Sequence, residues 1–104
     1  MRVSGVDCGA KSVKALILDD DKILARASVL RGFDQKAAAK EALDKALKEA
    51  GLSQDDLEHI TATGTGKEEA IFAQTTVTEV GANAGALGGA LFVKALVEKQ
   101  RGLR

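Results

Sequence analysis

The chain opens with two short apolar runs that flank a turn of small and polar residues, and this pattern constrains the fold most. Residues 3–6 and 13–18 have the composition of buried strands, so the sequence predicts a β-hairpin over residues 2–20. The turn, residues 7–12, reads Asp-Cys-Gly-Ala-Lys-Ser. A carboxylate at a strand end followed by glycine can hold a magnesium ion and expose backbone amides to a phosphate.

The composition predicts one soluble domain. The chain has 104 residues, 45% of them hydrophobic and 29% charged, which suffices for a single modest core. Fifteen basic residues balance fifteen acidic ones, so no overall field favours nucleic acid or an anionic membrane. The single cysteine, Cys8, excludes an internal disulfide and cannot alone hold a metal cluster. With no membrane-length apolar run and no signal-peptide pattern, we expect a cytoplasmic protein.

Periodicity predicts a third strand and a long helix after the hairpin. Residues 22–30 place an apolar residue at nearly every second position, as a half-buried strand does. Residues 35–50 carry apolar residues three and four apart, which gives one buried helical stripe. Asp34 is the expected N-cap of this helix and Gly51 its left-handed stop.

The second half of the chain is predicted to alternate strands and helices. A capping-box pattern at residues 53–56 precedes a buried strand at 59–62 and a brief helix at 67–74. A last strand is expected at 75–80 and a last helix at 81–98, with an N-terminal half weakened by glycines. The order β-β-β-α-β-α-β-α predicts an α/β fold, a ribonuclease H-like lobe with one mixed five-stranded sheet flanked by helices.

Three passages carry a family resemblance that spans nearly the whole chain. Residues 5–19 are similar to a phosphate-binding hairpin, and 61–67, Thr-Ala-Thr-Gly-Thr-Gly-Lys, to an Ala-Thr-Gly-Tyr-Gly-Arg turn. Residues 78–80 and 85–91 are similar to a Ser-Glu strand end and a Gly-Ala-Leu-Gly-Ala-Ala-Leu helix. Together they resemble the actin-like ATPase superfamily, and within it the activators of 2-hydroxyglutaryl-CoA dehydratase and the related ATPase subunits of benzoyl-CoA reductase.

The resemblance implies a nucleotide site in the first hairpin, where ATP or ADP binds with Mg²⁺. Asp7 is then the metal ligand. The residues expected to contact the bound nucleotide are Asp7, Gly9, Ala10, Lys11, Ser12, Lys14 and Gly64. Ala10 and Lys11 replace the serine and threonine usual in the family, which removes a hydroxyl from the phosphate side.

Complete members of the family have two such lobes with ATP between them, and residues 1–104 match a single lobe. The family's second phosphate hairpin, adenosine turn and cluster-binding cysteines have no counterpart, so no iron–sulfur cluster is expected. Because half of the phosphate clamp is missing, we expect ATP hydrolysis from a homodimer that rebuilds the cleft and not from the monomer. A non-catalytic interaction or assembly module, or an engineered or excised lobe without ATPase activity, fits the same sequence.

Each candidate residue also has a purely structural interpretation. Asp7 fits either a holder of magnesium-bound water or a strand-end acceptor for turn amides, and Gly9 either a phosphate loop or an ordinary turn. Lys14 fits a phosphate contact or a strand lysine that reaches solvent. The turn around Gly64 lacks the Walker pattern, so a loop tip near the cleft is favoured. Cys8 is expected to be a small buried residue.

Overall fold

The computed structural model describes residues 2–20 and 22–76. These residues form one sheet of order β3-β2-β1-β4-β5 with an α-helix packed on it. The strands are β1, Arg2–Cys8; β2, Ser12–Asp19; β3, Lys22–Leu30; β4, His59–Thr63; and β5, Thr75–Thr76; the helix is α1, Gln35–Ala50. Two single 3-10 turns, Gln54–Asp56 and Lys67–Glu69, connect the later elements.

Strand directions confirm the predicted mixed sheet. β1 and β2 are antiparallel, as are β2 and β3, whereas β4 is parallel to both β1 and β5. The central strand β1 therefore has the hairpin partner on one side and the parallel strand β4 on the other. Because β1 and β4 run the same way, their carboxyl ends lie at one edge of the sheet, next to the hairpin turn.

The strands differ from the prediction in length. β1 extends to Cys8 and β2 begins at Ser12, so the turn shrinks to residues 9–11. Four strands have five residues or more, and the predicted fifth is described only as Thr75–Thr76. The predicted passages at residues 78–80 and 85–91 and the predicted helix at 81–98 lie outside the described residues.

The prediction of a helix at residues 67–74 is wrong. The segment forms a single 3-10 turn, in which the Ala70 N–H donates to the Lys67 carbonyl at 3.1 Å. A second turn follows, with the Ala73 N–H donating to the Ala70 carbonyl at 3.0 Å. Eight residues offer few i→i−4 hydrogen bonds to offset the cost of nucleating a helix, so the chain takes short tight turns.

Both predicted ends of α1 are confirmed. Oδ1 of Asp34 accepts a hydrogen bond from the Ala37 N–H at 3.1 Å. Gly51 has a φ of 72° and ends the helix in the left-handed conformation. The apolar stripe is buried, and four of its six residues are alanines, so the helix can approach the sheet closely. Within residues 2–20 and 22–76, no helix combines the length and hydropathy needed to cross a bilayer.

The two faces of the sheet have different partners. The face toward α1 carries the main core, including Val6, Cys8 and Ile17, packed with the alanine stripe of the helix. On the opposite face Leu16 and Leu18 are also buried. Strand alternation puts the side chains next to Val6 and Cys8 on this opposite face, and those include the carboxylate of Asp7.

Candidate functional site

Asp7 lies one residue before the end of β1, between two neighbouring strands. Its Cα partner in β2 is Lys14, and its partner in β4 is Thr63. Directly paired residues share a face of the sheet, so all three side chains lie on the face opposite α1. Asp7 is half-buried, Lys14 is exposed, and Thr63 is buried. The fold thus places an acidic, a basic and a hydroxyl residue side by side on one face of the sheet.

Lys14 occupies a different environment from the one its neighbours in sequence suggest. Although apolar residues flank it, the side chain is exposed because it alternates with the buried Val13 and Ala15. The structure therefore has Lys14 at the surface beside Asp7, where its ammonium group can meet an anion without desolvation of a buried charge.

The hairpin tip presents backbone amides. The Gly9 N–H donates to the Ser12 carbonyl at 3.0 Å and closes the turn. A Cβ on Gly9 would lie 3.0 Å from that same oxygen, which is tighter than a side chain normally allows. The N–H groups of Ala10 and Lys11 have no hydrogen-bond acceptor within residues 2–20 and 22–76, and both residues are exposed. Two amides can therefore serve an incoming anion.

Arg31 is bound to the same tip, although the sequence alone did not predict a role for it. Its backbone N–H donates to the Lys11 carbonyl at 3.0 Å. Its Nη1 donates to the Ala10 carbonyl at 3.2 Å. Arg31 directly follows β3, whose last residue, Leu30, is paired with Ser12 at the start of β2. No sequence motif marks this arginine, since only the pairing of β3 with β2 carries it to the hairpin tip.

A second loop, residues 64–66, packs against the end of β1. Gly64 has a φ of 94°, and a Cβ there would lie 2.7 Å from Oδ1 of Asp7 and 2.6 Å from the Cys8 carbonyl oxygen. The Gly66 N–H donates to that same carbonyl at 3.0 Å. The backbone of Gly64 therefore lies against Asp7, and this close approach is possible only because glycine has no side chain.

Cys8 is a buried structural residue, as predicted. Its side chain is 1% exposed and belongs to the core beneath α1. Burial raises the pKa of the Cys8 thiol to about 11, and the nearby carboxylates of Asp7 and Glu69 add to the rise. The turn amides do not produce a reactive thiolate, and the group stays protonated at neutral pH.

The residues at the strand ends fit a metal that arrives with a nucleotide. Within the described part of the chain, no three His, Cys, Asp or Glu side chains gather as a metal-binding group. Magnesium beside a nucleotide commonly takes one or two carboxylates, with phosphate oxygens and water as its other ligands. Asp7 can supply that carboxylate, and the free amides of Ala10 and Lys11 lie close to it along the chain.

Known proteins match the sequence over most of the chain. No protein-family model matches the sequence. The chain is 33% identical over 84 residues to the activator of lactoyl-CoA dehydratase from Anaerotignum propionicum, a match that covers 81% of the chain and 32% of that protein. The chain is a homologue of the hydroxyacyl-CoA dehydratase activators. The predicted relationship to the dehydratase activators is thereby confirmed.

Two solved structures of dehydratase activators share the fold. Component A of (R)-2-hydroxyglutaryl-CoA dehydratase from Acidaminococcus fermentans superposes with a TM-score of 0.70 at 24% identity, covering 75% of this chain and 30% of its own. The activator of 2-hydroxyisocaproyl-CoA dehydratase from Clostridium difficile, solved with bound ADPNP, gives 0.70 at 24% identity, covering 81% and 31%. This dehydratase-activator homologue thus has the ribonuclease H-like fold of actin-like ATPases and spans about a third of the length of these relatives.

Proposed function

We propose that the chain binds ATP or ADP with Mg²⁺ at the hairpin end of its sheet, as one lobe of a nucleotide site. The observation that carries this proposal is the pairing of Asp7 with Lys14 next to the amides of Ala10 and Lys11, which have no acceptor among the described residues. A homologous activator binds ADPNP, which supports a nucleotide as the ligand.

Each residue of the hairpin has a distinct role in the proposal. The Asp7 carboxylate holds Mg²⁺ directly or through a water molecule, since Mg²⁺ prefers oxygen ligands and keeps part of its hydration shell. The N–H groups of Ala10 and Lys11 donate to phosphate oxygens. Lys14 adds a positive charge on the same face, and the half-buried Ser12 offers a hydroxyl donor.

Two glycines shape this proposed site. Gly9 allows the turn to close tightly against the Ser12 carbonyl. Gly64 has no side chain to displace the carboxylate of Asp7. A side chain at either residue would push backbone or carboxylate atoms away from the phosphate side. Their contribution to nucleotide binding is thus through the shape of the loops.

The proposed catalytic unit is larger than this lobe. Phosphoryl transfer requires charge neutralisation around the phosphates, and one hairpin supplies a single side of that environment. A second copy related by a two-fold axis would present a second Asp7 hairpin to the same nucleotide. We propose that ATP hydrolysis requires such a homodimer and takes place in the cytoplasm. We also propose that the dimer serves a dehydratase, which the names of its relatives support, or a benzoyl-CoA reductase, which only the sequence resemblance suggests.

Titration of Mg-ADP and Mg-ATP into ¹⁵N-labelled protein tests nucleotide binding. We expect the amide chemical shifts that change to be concentrated at residues 9–14. In the wild type these changes should depend on Mg²⁺, and in Asp7→Asn they should not. Asp55→Asn is the matched control, because Asp55 is an exposed carboxylate in the 3-10 turn Gln54–Asp56. If the wild-type amides at residues 9–14 do not move at millimolar nucleotide, the proposal is wrong.

Sedimentation velocity tests the dimer separately. We expect the protein to be a monomer alone and to gain a dimer fraction with Mg-ATP, and this fraction should disappear in Asp7→Asn. A nucleotide-bound protein that stays monomeric across the micromolar range would refute the dimer and leave nucleotide binding standing.

A non-catalytic interaction module is the second candidate, and one observation favours it. Leu30 and Phe33, on either side of Arg31, expose most of their apolar side chains to solvent. Exposed apolar groups beside an edge strand are typical of surfaces that bind another chain. If partner capture survives Asp7→Ala and is lost in Phe33→Ser, the interaction module is the better description.

A further inference from the structure

Arg31 contacts the hairpin tip with both its backbone and its side chain. The backbone N–H reaches the Lys11 carbonyl at 3.0 Å, and the guanidinium Nη1 reaches the Ala10 carbonyl at 3.2 Å. These two oxygens belong to the two successive peptide groups of the tip. A single residue therefore fixes both peptide planes of a turn that is otherwise exposed.

The geometry of the peptide bond means that a contact with a carbonyl oxygen also fixes the direction of the next N–H group. In a trans peptide the C=O and the following N–H point in opposite directions, and no peptide bond in the described residues is cis. Because the Ala10 oxygen points at Arg31, the Lys11 N–H points away from it. The Ser12 N–H is turned in the same way, because the Lys11 oxygen also faces Arg31.

We propose that Arg31 is a positioning residue of the phosphate site, which holds the carbonyls of Ala10 and Lys11 so that the amides behind them face the ligand. This inference rests on the proposed nucleotide binding. It also accounts for a hairpin that has Ala10 where the family has a serine hydroxyl, since a site with fewer hydroxyl donors depends more on backbone amides. Amides that are already oriented need not be ordered when the ligand binds, which favours affinity.

The test uses three variants of the same protein. Arg31→Met removes the guanidinium and keeps the backbone N–H, and Arg31→Lys keeps the charge without the planar fork. Arg26→Met is the matched control, because Arg26 is an exposed arginine of β3, the strand that precedes Arg31, and it pairs with Leu16, far along the hairpin from its tip. All three should keep the melting temperature and the core amide shifts of the wild type.

The first readout needs no nucleotide. In Arg31→Met we expect the ¹⁵N order parameters of Lys11 and Ser12 to fall from about 0.85 toward about 0.6, whereas Arg26→Met should leave them unchanged. The second readout is the Kd for Mg-ADP, which should rise about tenfold in Arg31→Met, less in Arg31→Lys, and less than about twofold in Arg26→Met.

The outcomes separate this inference from the function on which it rests. Unchanged order at the Lys11 and Ser12 amides in Arg31→Met overturns the positioning role, as does an equal loss of affinity in Arg26→Met. If the wild type binds no nucleotide, the proposed function fails by itself. Loss of order in Arg31→Met would still support Arg31 as the residue that holds the tip.

Discussion

Gly64 packs directly against the carboxylate of Asp7: a Cβ placed on Gly64 would lie 2.7 Å from Oδ1 of Asp7. The same Cβ would lie 2.6 Å from the carbonyl oxygen of Cys8, which is a backbone atom that cannot rotate aside. The parallel pairing of β1 with β4 creates this contact, since it puts Thr63 beside Asp7 and the next residue over the strand end. The loop after β4 and the end of β1 therefore form one unit.

Gly64→Ala should consequently destabilise the protein by about 2 to 4 kcal/mol, measured by urea denaturation. Two causes add: alanine is strained at a φ of 94°, and its methyl group meets the Cys8 carbonyl and the Asp7 carboxylate. Gly32→Ala is the matched control, because Gly32 has a φ of 63° and a methyl group there would meet nothing within 4 Å. It should cost only about 1 kcal/mol. Equal losses in the two variants would show that the close contact with Asp7 adds nothing.

Replacing Lys14 should affect ligand binding and leave the fold intact. Because Lys14 is exposed and lies opposite Asp7, Lys14→Met should keep the free energy of unfolding within about 0.5 kcal/mol. Its Kd for Mg-ADP, measured by calorimetry, should rise about tenfold, with a weaker dependence on salt.

Lys22→Met is the control for Lys14→Met, since Lys22 is exposed and pairs with Asp19 at the opposite end of the sheet. Its Kd for Mg-ADP should match that of the wild type. A Lys14→Met protein that binds as tightly as Lys22→Met would remove Lys14 from the site.

The part of the fold around the candidate site that the sequence predicted is local. Asp7, Gly9 and Lys14 belong to one hairpin, in which the turn and strand alternation fix the relative positions of residues only a few positions apart. The caps Asp34 and Gly51 were predictable for the same reason, because a capping residue acts on the adjacent helical turn.

The part that the sequence did not predict depends on contacts between distant segments. Arg31 is 21 residues from Ala10, and the register of β3 on β2 decides whether the two meet. The contact between Gly64 and Asp7 likewise requires β4 to return beside β1. The helix predicted at residues 67–74 failed because apolar spacing alone does not show whether so short a segment gains enough from packing to nucleate.

Two buried hydroxyls should respond oppositely to removal. Within the described residues, Oγ1 of Thr61 is a buried side-chain oxygen without a hydrogen-bond partner, whereas the equally buried Ser4 hydroxyl donates to the Leu16 carbonyl at 2.9 Å. Thr61→Val should therefore leave stability unchanged or raise it by about 1 kcal/mol, because it removes an unsatisfied polar atom at constant volume.

Ser4→Ala should instead lower the free energy of unfolding by about 1 to 2 kcal/mol. Urea denaturation of both variants in the same buffer measures the difference. A marked loss of stability in Thr61→Val would show that its hydroxyl is satisfied in solution by a group such as a bound water molecule.

The buried thiol should make the protein less stable in alkali. The pKa of Cys8 rises from 9.0 to about 11 on folding, chiefly through burial. Below pH 9 both the folded and the unfolded chain keep the proton, and the thiol has no pH-dependent effect. Between pH 9 and about 11 the unfolded chain loses the proton while the folded chain retains it. Ionisation then favours the unfolded state by about 1.4 kcal/mol per pH unit.

Cys8→Ala isolates this contribution. The variant should lose about 1 kcal/mol at pH 7 through the smaller side chain and then show a flatter decline than the wild type from pH 9 to 11. All other titratable groups are common to the two proteins, so the difference between the two curves reports on Cys8. Chemical denaturation at half-unit steps of pH, with a reductant present, gives the two curves. Parallel curves would mean that the thiol ionises as easily in the folded protein as in the unfolded chain, and that the core beneath α1 admits water at Cys8.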